Sequence, residues 1–211
     1  MRKFEMRKNP YEGKLIVATG VDGSGKTSLL AEAKRYLASG GVDCILTRMP
    51  SDRIRSLPVF RDFHDSHDEN KRTAVSVEAL TVLVSGDRLI VLETEVIPAL
   101  RTGRWVLCDR YAYTGSIMCD DPLIDAIGDR FLRPDLVLLA TASVETVRAR
   151  VLSRPDERVL YYDSEAVRRH IDRYRALGDL NEFVTVPTDG PLETAALVVR
   201  RSLDRLLATA R

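Results

Sequence analysis

The stretch Gly20-Val21-Asp22-Gly23-Ser24-Gly25-Lys26-Thr27 decides the fold. It satisfies G-x-x-x-x-G-K-[ST] and lies between the apolar run Leu15–Thr19 (LIVAT) and the helical start Ser28-Leu29-Leu30. A strand that turns at once into a helix aims several backbone N–H groups at one spot, and the helix N-terminus adds positive partial charge there. Gly20, Gly23 and Gly25 let the chain curl around a phosphate, with Ser24 inside the curl and Ser28 opening the helix. Lys26 reaches β- and γ-phosphates, and the Thr27 hydroxyl can bind Mg²⁺. The stretch therefore predicts a phosphate-binding loop, or P-loop, for a nucleotide.

Outward from this loop, short apolar runs rich in β-branched residues recur at 44–46, 105–108, 136–140 and 183–186. Between them lie longer segments with helical spacing, such as Leu29, Leu30, Ala33 and Leu37 closing at Gly40-Gly41, and Val167, Ile171 and Tyr174. Strands that alternate with helices predict a three-layer α/β fold, a parallel sheet flanked by helices on both faces. An amphipathic helix through Leu192, Ala196, Val199, Leu203 and Leu206 closes the chain. Residues 1–13 read as an N-terminal extension and 14–211 as one domain. The polar run at 61–73, which contains DFHDSHDENKR, reads as a loop-like, mobile surface insert.

The chain has 211 residues, of which 45% are hydrophobic and 30% charged, the usage of an ordinary globular domain. Lys and Arg number 32 against 31 Asp and Glu, a formal net charge of +1. No global field attracts polymeric nucleic acid or an anionic membrane, so an anionic ligand needs a local site. Cys44, Cys108 and Cys119 are an odd set without a C-x-x-C pair, which reads as reduced thiols. The N-terminal MRKFEMRKNPYEG lacks the apolar run of a signal peptide, and no uncharged stretch reaches the roughly 18 residues of a membrane span. The expectation is a cytoplasmic protein.

Three further clusters carry chemistry. Trp105-Val106-Leu107-Cys108-Asp109-Arg110-Tyr111 is an apolar strand ending in an acid and an arginine. There Asp109 can orient Mg²⁺ while Arg110 faces the transferred phosphoryl group. Arg148, Arg150, Arg154 and Arg158, with Pro155 between the last two, predict a lid at about 148–163 that closes over the nucleotide. Arg48 follows the strand-like 44–46, at the strand end where open α/β sheets bind ligands. Arg88, in the Ser85-Gly86-Asp87-Arg88 stretch of a long apolar helix, reads equally as a ligand group or a snorkelling surface arginine. His64-x-x-His67, among Asp62, Asp65, Asp68 and Glu69, reads first as a solvated acidic loop and only second as a metal site.

Taken together, these elements resemble the thymidylate kinase family. GVDGSGKTS resembles that family's P-loop, and TRMP at Thr47-Arg48-Met49-Pro50 resembles its TREP element. EALTVLVSGDRLIVLETEVIPALRTGRWVLCDRY, residues 78–111, is similar to the family's long helix with a Pro-interrupted end and its D-R-Y/H site. RPDLVLL at 133–139, then VETVRARVLSR, resembles the strand and helix before the lid. The resemblance implies a kinase with ATP and Mg²⁺ as cofactors and a small anionic, nucleotide-like acceptor, by default dTMP converted to dTDP. It implies that Lys26 and Thr27 serve ATP and metal, that Asp22 positions the acceptor sugar or metal water, and that Asp109 supports the metal. Arg48 and Arg110 would hold the acceptor phosphate with Tyr111 beside them, Arg88 the base edge, and Arg150, Arg154 and Arg158 the lid side. It further implies a homodimer face on the helix at 78–100.

The acceptor-reading half departs from the family pattern. Val84 stands where a stacking Phe is usual, Gly115 and Met118 where a polar residue and a Tyr are usual, and TRMP lacks the Glu. These departures predict poor use of dTMP unless Phe60, Phe63 or Tyr113 takes over the stacking. The alternatives are a related biosynthetic or resistance kinase with another nucleotide or phosphorylated metabolite as acceptor, and a non-catalytic P-loop module.

Overall fold

The computed structural model describes residues 2–66, 68–153 and 163–209. Five parallel strands, β1 (Leu15–Thr19), β2 (Cys44–Arg48), β3 (Trp105–Asp109), β4 (Leu136–Thr141) and β5 (Val184–Pro187), form a sheet in the order β2-β3-β1-β4-β5. β1 is buried at all five positions and holds the centre, while β2 and β5 at the edges are partly exposed.

Side chains alternate between the two faces of each strand, and the core divides accordingly. Ile16, Ala18, Leu107, Leu138 and Ala140 pack with Leu29, Leu30, Ala33 and Leu37 of α1 (Lys26–Ser39) and with Ala195, Val199 and Leu203 of α11 (Leu192–Thr209). Leu15, Val17, Val106, Cys108, Val137 and Leu139 face the other layer. That layer holds α5 (Val77–Val91), α7 (Tyr113–Met118), α9 (Val144–Leu152) and α10 (Ser164–Asn181). Both faces of the predicted sheet are covered, which is why its central strands read as continuous apolar runs.

Three short helices follow β2: α2 (Asp52–Arg55), α3 (Pro58–Asp65) and α4 (Glu69–Arg72). The expectation of a loop-like insert at 61–73 is corrected here. Pro58 in the first turn presets the helical φ of α3. Phe60 and Phe63 then form an apolar edge against Ile54, Leu80 and Val84, and Asp68 caps α4 by accepting from the Asn70 N–H at 3.0 Å. The density of charge hid two aromatic residues at helical spacing.

Ser76 caps α5, which runs into a π-helical turn at Leu92–Val96 and then α6 (Ile97–Arg101). Pro98 sits in the first turn of α6 and cannot donate to the helical ladder, so the wide turn falls just before it. α8 (Pro122–Gly128) completes the helices. The N-terminal segment is docked on this body: Phe4 is buried with its ring 5.3 Å from Tyr113, and Arg7 makes a β-bridge to Leu132. Among the described residues no helix is long and apolar enough to cross a membrane.

Candidate active site

The chain leaves β1 toward β2 on one side and leaves β3 toward β4 on the other, and β1 and β3 are neighbours. Such a switch opens a crevice beyond the carboxyl ends of the strands. The predicted loop stands at that crevice. Gly20 has φ 134° and Gly23 φ 79°, and a Cβ on Gly20 would lie 2.5 Å from the Ala140 carbonyl oxygen. A side chain would hold the loop off β4, so the close approach requires glycine there.

α1 begins at Lys26 after Gly25, with no side chain capping its first turn among the described residues. Its first N–H groups therefore face the crevice beside the exposed Thr27 and Ser28. Lys26 is 6% exposed; its Nζ donates to the Val21 carbonyl at 2.7 Å and lies 3.9 Å from the Asp22 carboxylate. Ser24 is buried under the loop. Arg150 donates to the Gly23 carbonyl at 3.2 Å and to the Thr188 carbonyl at 2.6 Å, tying α9 to the loop and to the end of β5. Thr188 in turn donates to the Ser24 carbonyl at 2.8 Å. Sequence reasoning missed Thr188, although Pro187-Thr188-Asp189-Gly190 at a strand's carboxyl end is a legible signal.

Asp109 ends β3 in register with Arg48 of β2, and both border this first cavity. The Asp109 Oδ1 is buried with no hydrogen-bond partner among the described residues. Arg48 is half exposed and pairs with Asp52. Arg110 has φ 68°, which turns its guanidinium toward the loop, where it pairs with Asp22 and donates to the Gly20 carbonyl at 3.3 Å.

A second, more apolar cavity lies beside the first, between α3, α5, α7 and α10. Its lining includes Phe60, Phe63, Leu80, Val84, Gly115, Met118 and Tyr174. Arg88 reaches into it from α5 and is 4% exposed, which overturns the reading as a snorkelling surface arginine. Burial lowers its pKa to about 10, and its Nε has no hydrogen-bond partner among the described residues. Asp87, its neighbour, instead accepts from the Ser51 N–H at 2.7 Å and the Ser51 hydroxyl at 2.6 Å, which ties α5 to the turn after β2. A Cβ on Gly115 would lie 2.9 Å from Ile124, so the glycine lets α7 pack closely against α8 on the cavity wall.

The two cavities share three lining residues, Asp22, Arg55 and Arg110. Arg55 was not foreseen; it ends α2, and its Nε donates to the Pro50 carbonyl at 3.0 Å. Its only signal is its place seven residues after Arg48, past the same strand end.

Tyr111 is corrected. It is fully buried, donates its hydroxyl to the Leu132 carbonyl at 2.9 Å, and packs edge-on against Phe131, so it supports β3 from within the core and lines neither cavity. Tyr113 is likewise a core residue, against Phe4 and Phe183. Arg154 and Arg158 lie outside the described residues, as does His67. No group of three or more His, Cys, Asp or Glu side chains is placed to hold a metal among the described residues.

A family model described as Thymidylate kinase matches residues 19–196. The chain is 32% identical over 209 residues to a thymidylate kinase of Methylococcus capsulatus, covering 93% of this chain and 97% of the relative. It is 32% identical over 210 residues to one of Alkalilimnicola ehrlichii, covering 90% and 92%, and 30% identical over 182 residues to one of Colwellia psychrerythraea, covering 82% and 84%.

Proposed function

The chain belongs to the thymidylate kinase family, and from that membership and the paired cavities we propose that it transfers the γ-phosphoryl group of ATP to dTMP, releasing ADP and dTDP. The observation that carries this reading is the junction at Asp22, Arg55 and Arg110, common to a polar cavity at the P-loop and an apolar cavity behind it. A donor phosphate chain in the first and an acceptor phosphate entering from the second meet at that junction.

In this reading an oxygen of the dTMP phosphate attacks the γ-phosphorus, and the bond to the β-phosphate oxygen breaks. N–H groups of the loop and of the first turn of α1 hold the donor phosphates, and Lys26 places its charge against the β- and γ-oxygens. Arg110 and Arg55 draw the acceptor phosphate toward the donor, offsetting repulsion between two anions, with Arg48 at the rim. Asp22 keeps Arg110 aimed at the junction and sits where the acceptor sugar passes. Arg150 stiffens the loop. Asp109, with its unpartnered buried oxygen, and the Thr27 hydroxyl suit Mg²⁺, which is commonly held by one or two carboxylates plus substrate phosphates. When bound, Mg²⁺ neutralises charge on the phosphates. Arg88 presents donors to the edge of the base, and its lost hydration favours a bound hydrogen-bond acceptor.

The location proposed with this reading is the cytoplasm. Val82, Leu83 and Ile90, exposed along α5, give the homodimer reading a surface; light scattering of Leu83→Glu against the unaltered chain tests it.

ADP release measured with dTMP, dUMP, dCMP, dAMP and dGMP, together with chromatographic identification of the product, tests the function. The expected result is dTDP formation with the highest kcat/KM for dTMP, inside the ordinary enzymatic range of about 10⁴–10⁸ M⁻¹s⁻¹. A better acceptor among the others, or no turnover of dTMP, overturns it.

A further inference from the structure

Among the described residues, the aromatic ring pairs that line the acceptor cavity come from one short helix. On α3 the Phe60 and His64 ring centroids lie 4.3 Å apart, and those of Phe63 and His64 lie 5.1 Å apart. All three residues line the cavity. Phe60 is buried in one apolar cluster with Ile54, Leu80 and Val84, with Phe63 packed against it. Val84 on α5 is small and belongs to the same buried cluster as the Phe60 ring. The same cavity holds the Arg88 guanidinium, whose Nε lacks a partner among the described residues, and is lined on the α7 side by Gly115.

Rings on one side and fixed donors in an otherwise apolar slot fit a flat group that stacks on its face and accepts hydrogen bonds at its edge. We infer that Phe60 and Phe63 of α3 form the stacking surface for the acceptor's nucleobase, which makes them specificity-determining residues of this kinase. The inference rests on the acceptor reading given above. It also gives the polar segment after β2 a role in the site, because its two phenylalanines line the cavity. α3 follows α2 after only two residues, so the helix that supplies these rings is coupled to Arg55 at the phosphate junction. Base stacking and phosphate placement are then set by one stretch of chain.

The test compares calorimetric binding of dTMP with that of 2-deoxyribose 5-phosphate, which has the sugar and phosphate but no base. The proteins are the unaltered chain, Phe63→Leu, Phe60→Leu and the exchange variant Phe60→Leu/Val84→Phe. The unaltered chain is expected to prefer dTMP at least tenfold. Each single variant should reduce that preference by about five- to a hundredfold, with binding of 2-deoxyribose 5-phosphate and of ATP unchanged. The exchange variant should regain most of the preference, because the ring returns to the same cluster from the opposite helix. A preference near one in the unaltered chain overturns the inference. So does a preference that Phe63→Leu and a folded Phe60→Leu both leave within threefold; should Phe60→Leu unfold, Phe63→Leu decides alone. Failure of dTMP turnover with an intact, α3-dependent preference for the base overturns the proposed reaction and upholds the stacking surface.

Discussion

Asp22 in the P-loop and Arg110 after β3 form an ion pair at the point where the two cavities meet. Arg110 reaches Asp22 only because its backbone takes φ 68°, held by its N–H on the Ala18 carbonyl at 2.9 Å. A left-handed conformation at a non-glycine residue costs about 1–3 kcal/mol, and such strain concentrates at working sites. Asn tolerates this backbone well and lacks the charge. Arg110→Asn is therefore expected to keep or slightly raise Tm while kcat falls about 10²- to 10³-fold, the scale of losing one preorganised donor to a developing charge. A kcat within tenfold of the unaltered enzyme would contradict the role given to Arg110.

Lys26 is buried beneath the loop, with its Nζ on the Val21 carbonyl at 2.7 Å. Lys26→Ala removes the point charge and leaves every loop glycine in place. Turnover should fall by well over tenfold with an unchanged circular dichroism spectrum. Near-normal turnover would show that the donor phosphates are held without it.

Arg88 is a buried cation without an ion-pair partner among the described residues. Burying an uncompensated charge destabilises a fold, and replacing it with an apolar chain of similar length removes that cost. Arg88→Met is expected to leave Tm unchanged or raise it, while KM for dTMP rises at least tenfold and KM for ATP stays constant. A fall in Tm with an unaffected dTMP KM would make Arg88 a structural residue.

His170 lines the acceptor cavity, and burial, reinforced by Arg173 and Arg169, lowers its pKa below the ordinary 6.5. The unfolded chain then binds this proton more readily than the folded chain, so stability declines as pH falls below about 6.5 toward the lowered folded value. The lowered carboxyls of Glu32, Asp163 and Asp189 act in a more acidic window, since their stabilisation is lost only as pH falls below the ordinary carboxylate values of 4.5 and 3.8. Thermal unfolding of His170→Asn should therefore show a flatter Tm profile between pH 7 and pH 5. Parallel profiles would rule His170 out as the source of that slope.

The donor half of the site was legible because it is local. A continuously buried strand, a turn that needs positive φ and a helix start lie within one continuous stretch, 15–30, and each imposes its own residue types. Asp109 and Arg110 were legible for a related reason, since a polar pair at the end of a continuously apolar strand marks where the sheet meets its crevice. The acceptor half is assembled from α2, α3, α5, α7 and α10, which the chain brings together across more than a hundred residues. No sequence pattern says which side of α5 faces α3, so Arg88 read equally well as solvated or buried, and Val84 read as a loss where packing sets Phe60 beside it.

The sequence alone determined that this chain forms a parallel sheet with a phosphate loop after its first strand, since backbone geometry and burial period are properties of adjacent residues. Only the tertiary structure decided that Tyr111 belongs to the core, that Arg55 joins Asp22 and Arg110, and that an apparently polar insert turns its phenylalanines toward the apolar cavity. Those outcomes depend on side chains from distant elements competing to fill the same volume, and that competition is settled only when the layers pack.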